Sequence, residues 1–136
     1  MQVLLTQLQG YNIMFKLIDG YAKKTNSDYL LGLLGDMCFM SDGCTADTAI
    51  WEDWLEAIYE KETLTKQEAF DGMIRFLEIY RNLTSSADIT KLINLIQSAK
   101  NCNNTTVPIV KQWNLLLKEV LQEPEDSREY LQLTKG

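Results

Sequence analysis

The feature of this sequence that most restricts its fold is an internal repeat. When the sequence is shifted by 59 positions, residues 11–60 align with residues 70–119 without a gap. Eight of the fifty aligned positions are identical, among them Trp54 with Trp113. Along the rest of the alignment apolar residues mostly match apolar residues, which is what a duplicated packing unit requires. The sequence therefore predicts two copies of one structural unit.

Each unit is predicted to contain three helices, because apolar residues recur at helical spacing. The first helix of unit one carries apolar residues at positions i, i+3, i+4 and i+7, namely Met14, Leu17, Ile18 and Tyr21. The copy has the same spacing, with Met73, Phe76, Leu77 and Tyr80. No alternating apolar and polar run bounded by hairpin turns competes with this pattern. The predicted fold is all-α with six or seven helices and no sheet, and units 11–60 and 70–119 lie in one domain spanning 1–136.

Helix starts are marked by side chains that accept hydrogen bonds from the free N–H groups of a first helical turn. The second helix of each unit is predicted to open at residues 25–28 and 84–88, which are rich in Thr, Ser, Asn and Asp. Thr65 and Glu68 form a Thr-x-x-Glu capping box. This box predicts the start of the fourth helix.

Both prolines of the chain are interpreted as helix starts. Pro108 suits a first helical turn, because the N–H that proline lacks would have no helical partner there. It predicts the start of the third helix of unit two. Pro124 predicts the start of a last short helix that holds Tyr130 and Leu131.

The composition excludes several classes of function. The chain has no histidine, so Ser–His–Asp and Cys–His catalytic arrangements are impossible. Its three cysteines include no Cys-x-x-Cys pair and are predicted to be reduced thiols. Residues 1–6 lack the basic region and apolar core of a signal peptide, and no apolar run approaches the ~20 residues of a membrane span. These features predict a cytoplasmic protein with no metal or other cofactor.

Charge is distributed unequally between the two units. The chain carries a net charge of −6, which disfavours direct binding to nucleic acid or to anionic membranes. Residues 11–60 hold nine acids and three bases, a net charge of −6, whereas residues 70–119 hold four acids and six bases, a net charge of +2. Folding of a duplicated scaffold does not require this difference. A field of one sign on one unit indicates electrostatic steering of a positively charged protein partner.

The acids of unit one concentrate in a turn and in the helix that follows it. On that helix Trp51, Trp54, Leu55 and Ile58 share one face and are predicted to be core. The turn and the opposite flank supply the candidate partner-binding residues, which are Asp42, Asp47, Glu52, Asp53, Glu56, Tyr59 and Glu60. Tyr59 is the candidate aromatic anchor of this surface.

Other interpretations of these acids remain open. The Asp42-Gly43 turn suggests calcium, but the spacing fails the EF-hand loop, which needs ligands at alternate positions and a Glu at the twelfth. In that turn Asp or Thr can instead cap the next helix. Paired carboxylates occur in glycosidases, but acids one turn apart on an exposed helix are more often a solvated face.

Several short motifs of unit one carry a resemblance to a known family. They are Thr25-Asn26-Ser27-Asp28, Leu33-Leu34-Gly35-Asp36-Met37, Asp42-Gly43-Cys44-Thr45-Ala46-Asp47 and Trp51-Glu52-Asp53-Trp54. Together they resemble a family of small bacterial proteins, the immunity proteins of contact-dependent growth inhibition and related polymorphic toxin systems. The resemblance covers residues 11–60, and unit two is then a diverged copy. Thr48 departs from the family pattern, which has proline after Ala-Asp.

The resemblance implies a binding protein and not an enzyme. Immunity proteins of this kind bind a toxin domain, often a nuclease, and block its active site without catalysis. The implied partner is the basic C-terminal domain of a cognate toxin, and no small-molecule substrate is implied. The alternative is a helical-repeat adaptor that scaffolds other proteins without inhibiting them.

Overall fold

The computed structural model of the chain describes residues 3–102 and 108–128, which contain six helices and two short strands. In chain order the elements are β1 (Leu4–Thr6), α1 (Gln7–Thr25), α2 (Asp28–Met37), α3 (Thr48–Ala57), β2 (Thr63–Thr65), α4 (Lys66–Thr84), α5 (Ala87–Cys102) and α6 (Pro108–Leu121). The prediction of an all-α fold with six or seven helices is confirmed. Within the described residues no helix has the length and apolar character to cross a membrane.

The two strands correct the prediction that the chain has no sheet. β1 and β2 pair antiparallel, with Leu5 opposite Leu64. These two leucines stand at the same position of the repeat, 59 residues apart, so the pairing places a local pseudo-two-fold axis between them. Strands of three residues are too short to show an alternating pattern. They form because extended backbone precedes the first helix of each unit, and the tertiary fold brings these two segments together.

The helix ends recur 59 residues apart. Thr6 caps α1 and Thr65 caps α4, and in each case the Thr hydroxyl accepts from the third N–H of the helix at 3.0 Å. Both helices end at a residue in the left-handed region, Asn26 with φ 52° and Ser85 with φ 56°. The capping box predicted at Thr65 is therefore confirmed. Ser27 also caps α2, as predicted for the second helix.

The capping box of α4 makes stability depend on pH. Glu68 is hydrogen-bonded to Lys61 and accepts from the Thr65 N–H at 2.9 Å, and these bonds lower the pKa of Glu68, with Lys61 the larger cause. The stabilisation is complete above the unfolded pKa of about 4.3 and is lost as the pH falls through the lower folded pKa. Unit one uses a neutral amide, Gln9, at the equivalent position.

We therefore expect Glu68→Gln to retain the start of α4 and to flatten the loss of stability on the acid side. Urea denaturation at a series of pH values below neutral measures this slope. Glu62→Gln is the control, because Glu62 is an exposed acid outside the capping box. An unchanged acid slope in Glu68→Gln would show that the capping carboxylate does not contribute.

The third helix of each unit packs mainly against the first helix of the other unit. α3 of unit one packs against α4, the first helix of unit two, and α6 of unit two packs against α1. Polar contacts join the same two pairs of helices. Lys16 on α1 pairs with Glu119 on α6 at 3.2 Å, and Arg75 on α4 donates to the Ala57 carbonyl at the end of α3 at 2.5 Å. Lys16 and Arg75 stand at the same repeat position, so the pseudo-two-fold axis relates the two helix pairs.

The buried side chains of both units form one continuous core. Trp54 is 0% exposed and Trp113 is 3% exposed, which confirms the predicted burial of both. Ile58 is also buried, whereas Trp51 and Leu55 are only half-buried. The predicted core face of α3 is therefore confirmed for Trp54 and Ile58, whereas Trp51 and Leu55 lie at its edges and reach the surface.

The segment after α6 differs from the predicted helix start at Pro124. The Ser127 N–H donates to the Pro124 carbonyl at 3.0 Å, which closes a turn. Asn12 on α1 donates from Nδ2 to the Ser127 carbonyl at 2.7 Å and holds this turn against the first helix. The predicted helical residues Tyr130 and Leu131 lie outside the described residues.

Candidate functional site

The turn that leads into α3 is shaped by its acidic residues. Phe39 and Thr45 form an antiparallel bridge, and the Met40 N–H donates to the Cys44 carbonyl at 2.8 Å. At the tip, Asp42 Oδ1 accepts from the Cys44 N–H at 2.9 Å. Asp42 therefore stabilises the turn locally, as Asp side chains do when they bond backbone two residues on. Its side chain is nevertheless exposed.

Asp47 is the N-cap of α3. Its Oδ1 accepts from the Ala49 N–H at 3.1 Å, and its own N–H donates to the Asp36 carbonyl at 3.1 Å. The interpretation of the turn as a helix start is confirmed at this residue. Asp42 and Asp47 thus each bond to backbone, and neither lines the groove described next.

Four of the seven predicted residues come together at one groove. Glu52, Leu55, Glu56, Tyr59 and Glu60 line an open depression of about 630 Å³, which we call the acidic groove. Leu55 was assigned to the core by its spacing. It is half-buried, because it lies at the edge of the apolar face and contributes both to the core and to the acidic groove. The groove thus combines three carboxylates with an aliphatic and an aromatic side chain.

Tyr59 and Glu60 lie in the groove on a turn that follows α3, and not on the helical face where they were predicted. The helix ends at Ala57, and Tyr59 and Glu60 are both left-handed, with φ 56° and 55°. The Tyr59 N–H donates to the Glu56 carbonyl at 3.1 Å, and the Glu60 N–H donates to the Leu55 carbonyl at 2.8 Å. This is the hydrogen-bond pattern of a Schellman motif, which normally has glycine where Tyr59 stands.

The left-handed turn carries local strain, since such a conformation costs a non-glycine residue about 1–2 kcal/mol. Arg75 on α4 holds the turn in place. Its guanidinium lies 4.4 Å from the centre of the Tyr59 ring, and its Nε donates to the Ala57 carbonyl. Tyr59 is still 69% exposed. The aromatic ring is therefore fixed at the surface of the groove and is accessible to a partner.

Asp53 does not belong to the groove, which corrects its predicted place on the exposed flank. It is half-buried and accepts a hydrogen bond from the Tyr80 hydroxyl at 2.9 Å. Burial and, to a lesser extent, this bond to the Asp53 carboxylate raise the pKa of Tyr80. Asp53 therefore ties α3 to α4. Its partner lies 27 residues away in the sequence, so helical spacing alone could not reveal the contact.

The pseudo-two-fold axis supplies an internal comparison for the groove. Shifted by 59 residues, its five lining positions correspond to Lys111, Asn114, Leu115, Lys118 and Glu119 on α6. At the first three positions the burial classes of the two helices match. The same helical surface thus carries Glu52 and Glu56 in unit one and no acid in unit two. After Ala57 the backbones differ, because α3 ends there and α6 continues to Leu121. The comparison indicates that folding does not require Glu52 and Glu56.

A second, smaller cavity adjoins the acidic groove and was not found from the sequence. It measures about 310 Å³, and its lining includes Leu8, Phe39, Trp51, Glu52 and Arg128. We call it the aromatic pocket. Glu52 lines both depressions, so they adjoin at this residue. The lining residues come from four separate segments, and no local motif connects them.

The side chains of this surface have the chemistry to contact cationic groups. Carboxylates beside exposed aromatic and aliphatic side chains bind cationic protein groups through charge, hydrogen bonds and apolar contact. Among the side chains that the structure describes, no cluster of three or more His, Cys, Asp or Glu residues is arranged to hold a metal ion. Cys38 and Cys44 form no disulfide, and the side chain of Cys102 lies outside the described residues.

Comparison of the chain with models of known protein families, with curated proteins and with solved structures returns no match.

Proposed function

We propose that this chain is an immunity protein of a polymorphic toxin system, which binds and neutralises the basic C-terminal domain of a cognate toxin. The observation that carries the proposal is the acidic groove, where Glu52, Glu56 and Glu60 surround Leu55 and Tyr59. The resemblance of residues 11–60 to such immunity proteins points to the same function. The chain acts as a stoichiometric inhibitor and catalyses nothing.

The sign of the groove suits a toxin that cleaves nucleic acid. A nuclease must bind phosphates, so its working surface carries Lys and Arg. An acidic surface presents carboxylates to the same side chains, speeds the encounter and competes with the polyanionic substrate. The basic character of unit two at the equivalent positions indicates that only unit one is adapted for this contact.

The groove is also held rigid, which favours tight binding. Trp54 lies on the opposite side of α3 and is fully buried, so the helix under Glu52 and Glu56 is anchored in the core. Arg75 fixes the Tyr59 ring from below. Little conformational freedom is then lost on binding, and more of the interaction energy appears as affinity.

The proposal predicts that a neighbouring gene encodes the toxin, and the test uses the C-terminal domain of that toxin. We expect Glu52→Gln/Glu56→Gln to weaken binding about tenfold at low salt and to weaken toxin inhibition, because charge pairs at an interface are lost. The control is Asn94→Lys/Ser98→Lys on α5, two exposed positions one helical turn apart that change the net charge by the same +2. Calorimetry at low and high salt gives the affinities, and circular dichroism verifies folding.

Three outcomes separate the possibilities. A loss confined to the groove variant supports the proposal. An equal effect of both variants shows that only the total charge matters, and then the groove is not the interface. Binding by the parent protein without inhibition of the toxin supports the adaptor function instead.

A further inference from the structure

The geometry of the aromatic pocket points to a binding site for one arginine side chain of the partner, and we infer that Arg128 of this chain, which lines the pocket, covers the Phe39 face until the partner displaces it. The inference deepens the proposed function and rests on it for the identity of the partner. The site itself can be tested without the toxin.

The pocket has a rigid aromatic wall. The ring centres of Phe39 and Trp51 are 6.2 Å apart, with their planes inclined at 58°. Tyr11 lies behind both, 5.5 Å from Phe39 and 5.2 Å from Trp51. The Tyr11 hydroxyl donates to the Met37 carbonyl at 2.6 Å and is fully buried, which fixes the wall from within. The faces of Phe39 and Trp51 therefore keep their positions whether or not the pocket is filled.

Arg128 shows which chemistry the wall accepts. Its guanidinium carbon lies 5.7 Å from the centre of the Phe39 ring, within the ~6 Å reach of a cation–π contact. The backbone of the preceding residue is held by Asn12, so the Arg128 side chain is delivered to the mouth of the pocket. The side chain itself is exposed, and it can leave the ring without disturbing the helices. The structure thus contains the cation–π part of the proposed contact, while Arg128 Nη1 donates to the Asp126 carbonyl at 3.3 Å.

The carboxylate of Glu52 makes the pocket selective for arginine. A guanidinium can stack on an aromatic face and at the same time donate two parallel hydrogen bonds to a carboxylate. A lysine ammonium is more strongly hydrated and lacks this planar fork. The volume of about 310 Å³ lies at the small end of the ~300–1,000 Å³ range of ligand pockets. The pocket therefore fits a single side chain and not a folded segment.

The charge of Glu52 and the adjacency of the two depressions favour a cation from the same partner that fills the acidic groove. Glu52 belongs to both depressions, so a basic surface lying in the groove brings its own side chains to the pocket mouth. Two guanidinium groups cannot share the Phe39 face because they repel each other. Arg128 is then a competitor, and its removal exposes the ring to the incoming arginine.

The site is tested with N-acetyl-arginine amide as the probe, observed through the indole N–H signal of Trp51 by NMR. We expect Arg128→Gln to bind the probe at least threefold more tightly than the parent protein. N-acetyl-lysine amide should bind more weakly, and N-acetyl-norleucine amide should not bind. Lys118→Gln is the charge-matched control, because it also removes one exposed positive charge but lies on α6 away from the pocket lining.

Two results would contradict the inference. If the Trp51 signal of folded Arg128→Gln does not move with the arginine probe, the pocket does not bind arginine. If Lys118→Gln tightens binding as much as Arg128→Gln, the effect is one of total charge and Arg128 is not a competitor. Phe39→Leu, which removes the ring face, should abolish the shift.

The toxin experiment separates this inference from the proposed function. Arg128→Gln should tighten toxin binding, and Phe39→Leu should weaken it. Normal toxin binding in both variants refutes the arginine anchor while the acidic groove remains the interface. A toxin that does not bind the parent protein refutes the proposed function, and the probe titration then still decides whether the pocket takes arginine.

Discussion

Replacement of Trp54 by alanine is expected to lower the free energy of unfolding by about 3–5 kcal/mol, the range for removing a buried tryptophan from a core. Trp54 is fully buried, and its Nε1 donates to the Gln7 carbonyl at the start of α1 at 3.0 Å. Its ring also lies 6.4 Å from Phe76 on α4. The side chain therefore joins α3 to the first helices of both units, and its loss weakens both contacts.

Urea denaturation followed by circular dichroism measures the effect. Trp51→Ala on the same helix is the matched control, because Trp51 is only half-buried and its loss should cost less. Trp54→Phe keeps most of the apolar contact and removes the hydrogen bond, and a loss of about 0.5–1.5 kcal/mol is expected from that bond, because the Gln7 carbonyl lies in the first turn of α1 and keeps its helical partner. A denaturation midpoint of Trp54→Ala close to that of the parent would show that Trp54 is not a core residue.

Gly72→Ala is expected to lower stability by about 1–3 kcal/mol, the cost of overpacking a well-filled core. A Cβ atom at Gly72 would lie 2.6 Å from Ile58 Cγ2 and 3.4 Å from the Trp54 ring. The first distance is too short for two non-bonded carbon atoms, so the Ile58 side chain or the backbones of α3 and α4 would have to shift. The direction is opposite to the usual effect of Gly→Ala within a helix, which is stabilising.

Gly20→Ala provides the matched control, because Gly20 is also helical and a Cβ there has no atom within 4 Å. This variant should gain about 0.4–1 kcal/mol through the lower entropy of the unfolded chain. Ile58→Ala removes the clashing atom, so the double variant Gly72→Ala/Ile58→Ala should lose less than the sum of the single losses. Equal stabilisation by Gly72→Ala and Gly20→Ala would contradict the close approach of α3 and α4.

The helix starts could be predicted well from the sequence, because capping is a local interaction. Ser27 and Thr65 each bond to an N–H three residues later, and Pro108 opens α6, so a short stretch of sequence contains the whole signal. The end of α3 was less predictable. Tyr59 adopts a left-handed conformation that glycine normally supplies, and nothing in the nearby sequence marks it.

The candidate site was predicted in part for the same reason. Glu52 and Glu56 line one groove because residues four apart are neighbours on a helix. Asp53 was misplaced because its partner, Tyr80, comes from a different helix. The aromatic pocket was missed altogether, since Phe39, Trp51 and Arg128 meet only after the chain has folded.

The three-helix unit, its repetition at 59 residues and the separation of charge between the copies follow from the amino-acid sequence, since they depend on periodicity, capping and composition. The pairing of Leu5 with Leu64 and the packing of each third helix on the other unit depend on the folded chain. The need for glycine at position 72, where the other unit has Ile13, also depends on the folded chain. Such contacts join residues far apart in the chain, and their free energy comes from shape and burial that no local pattern encodes.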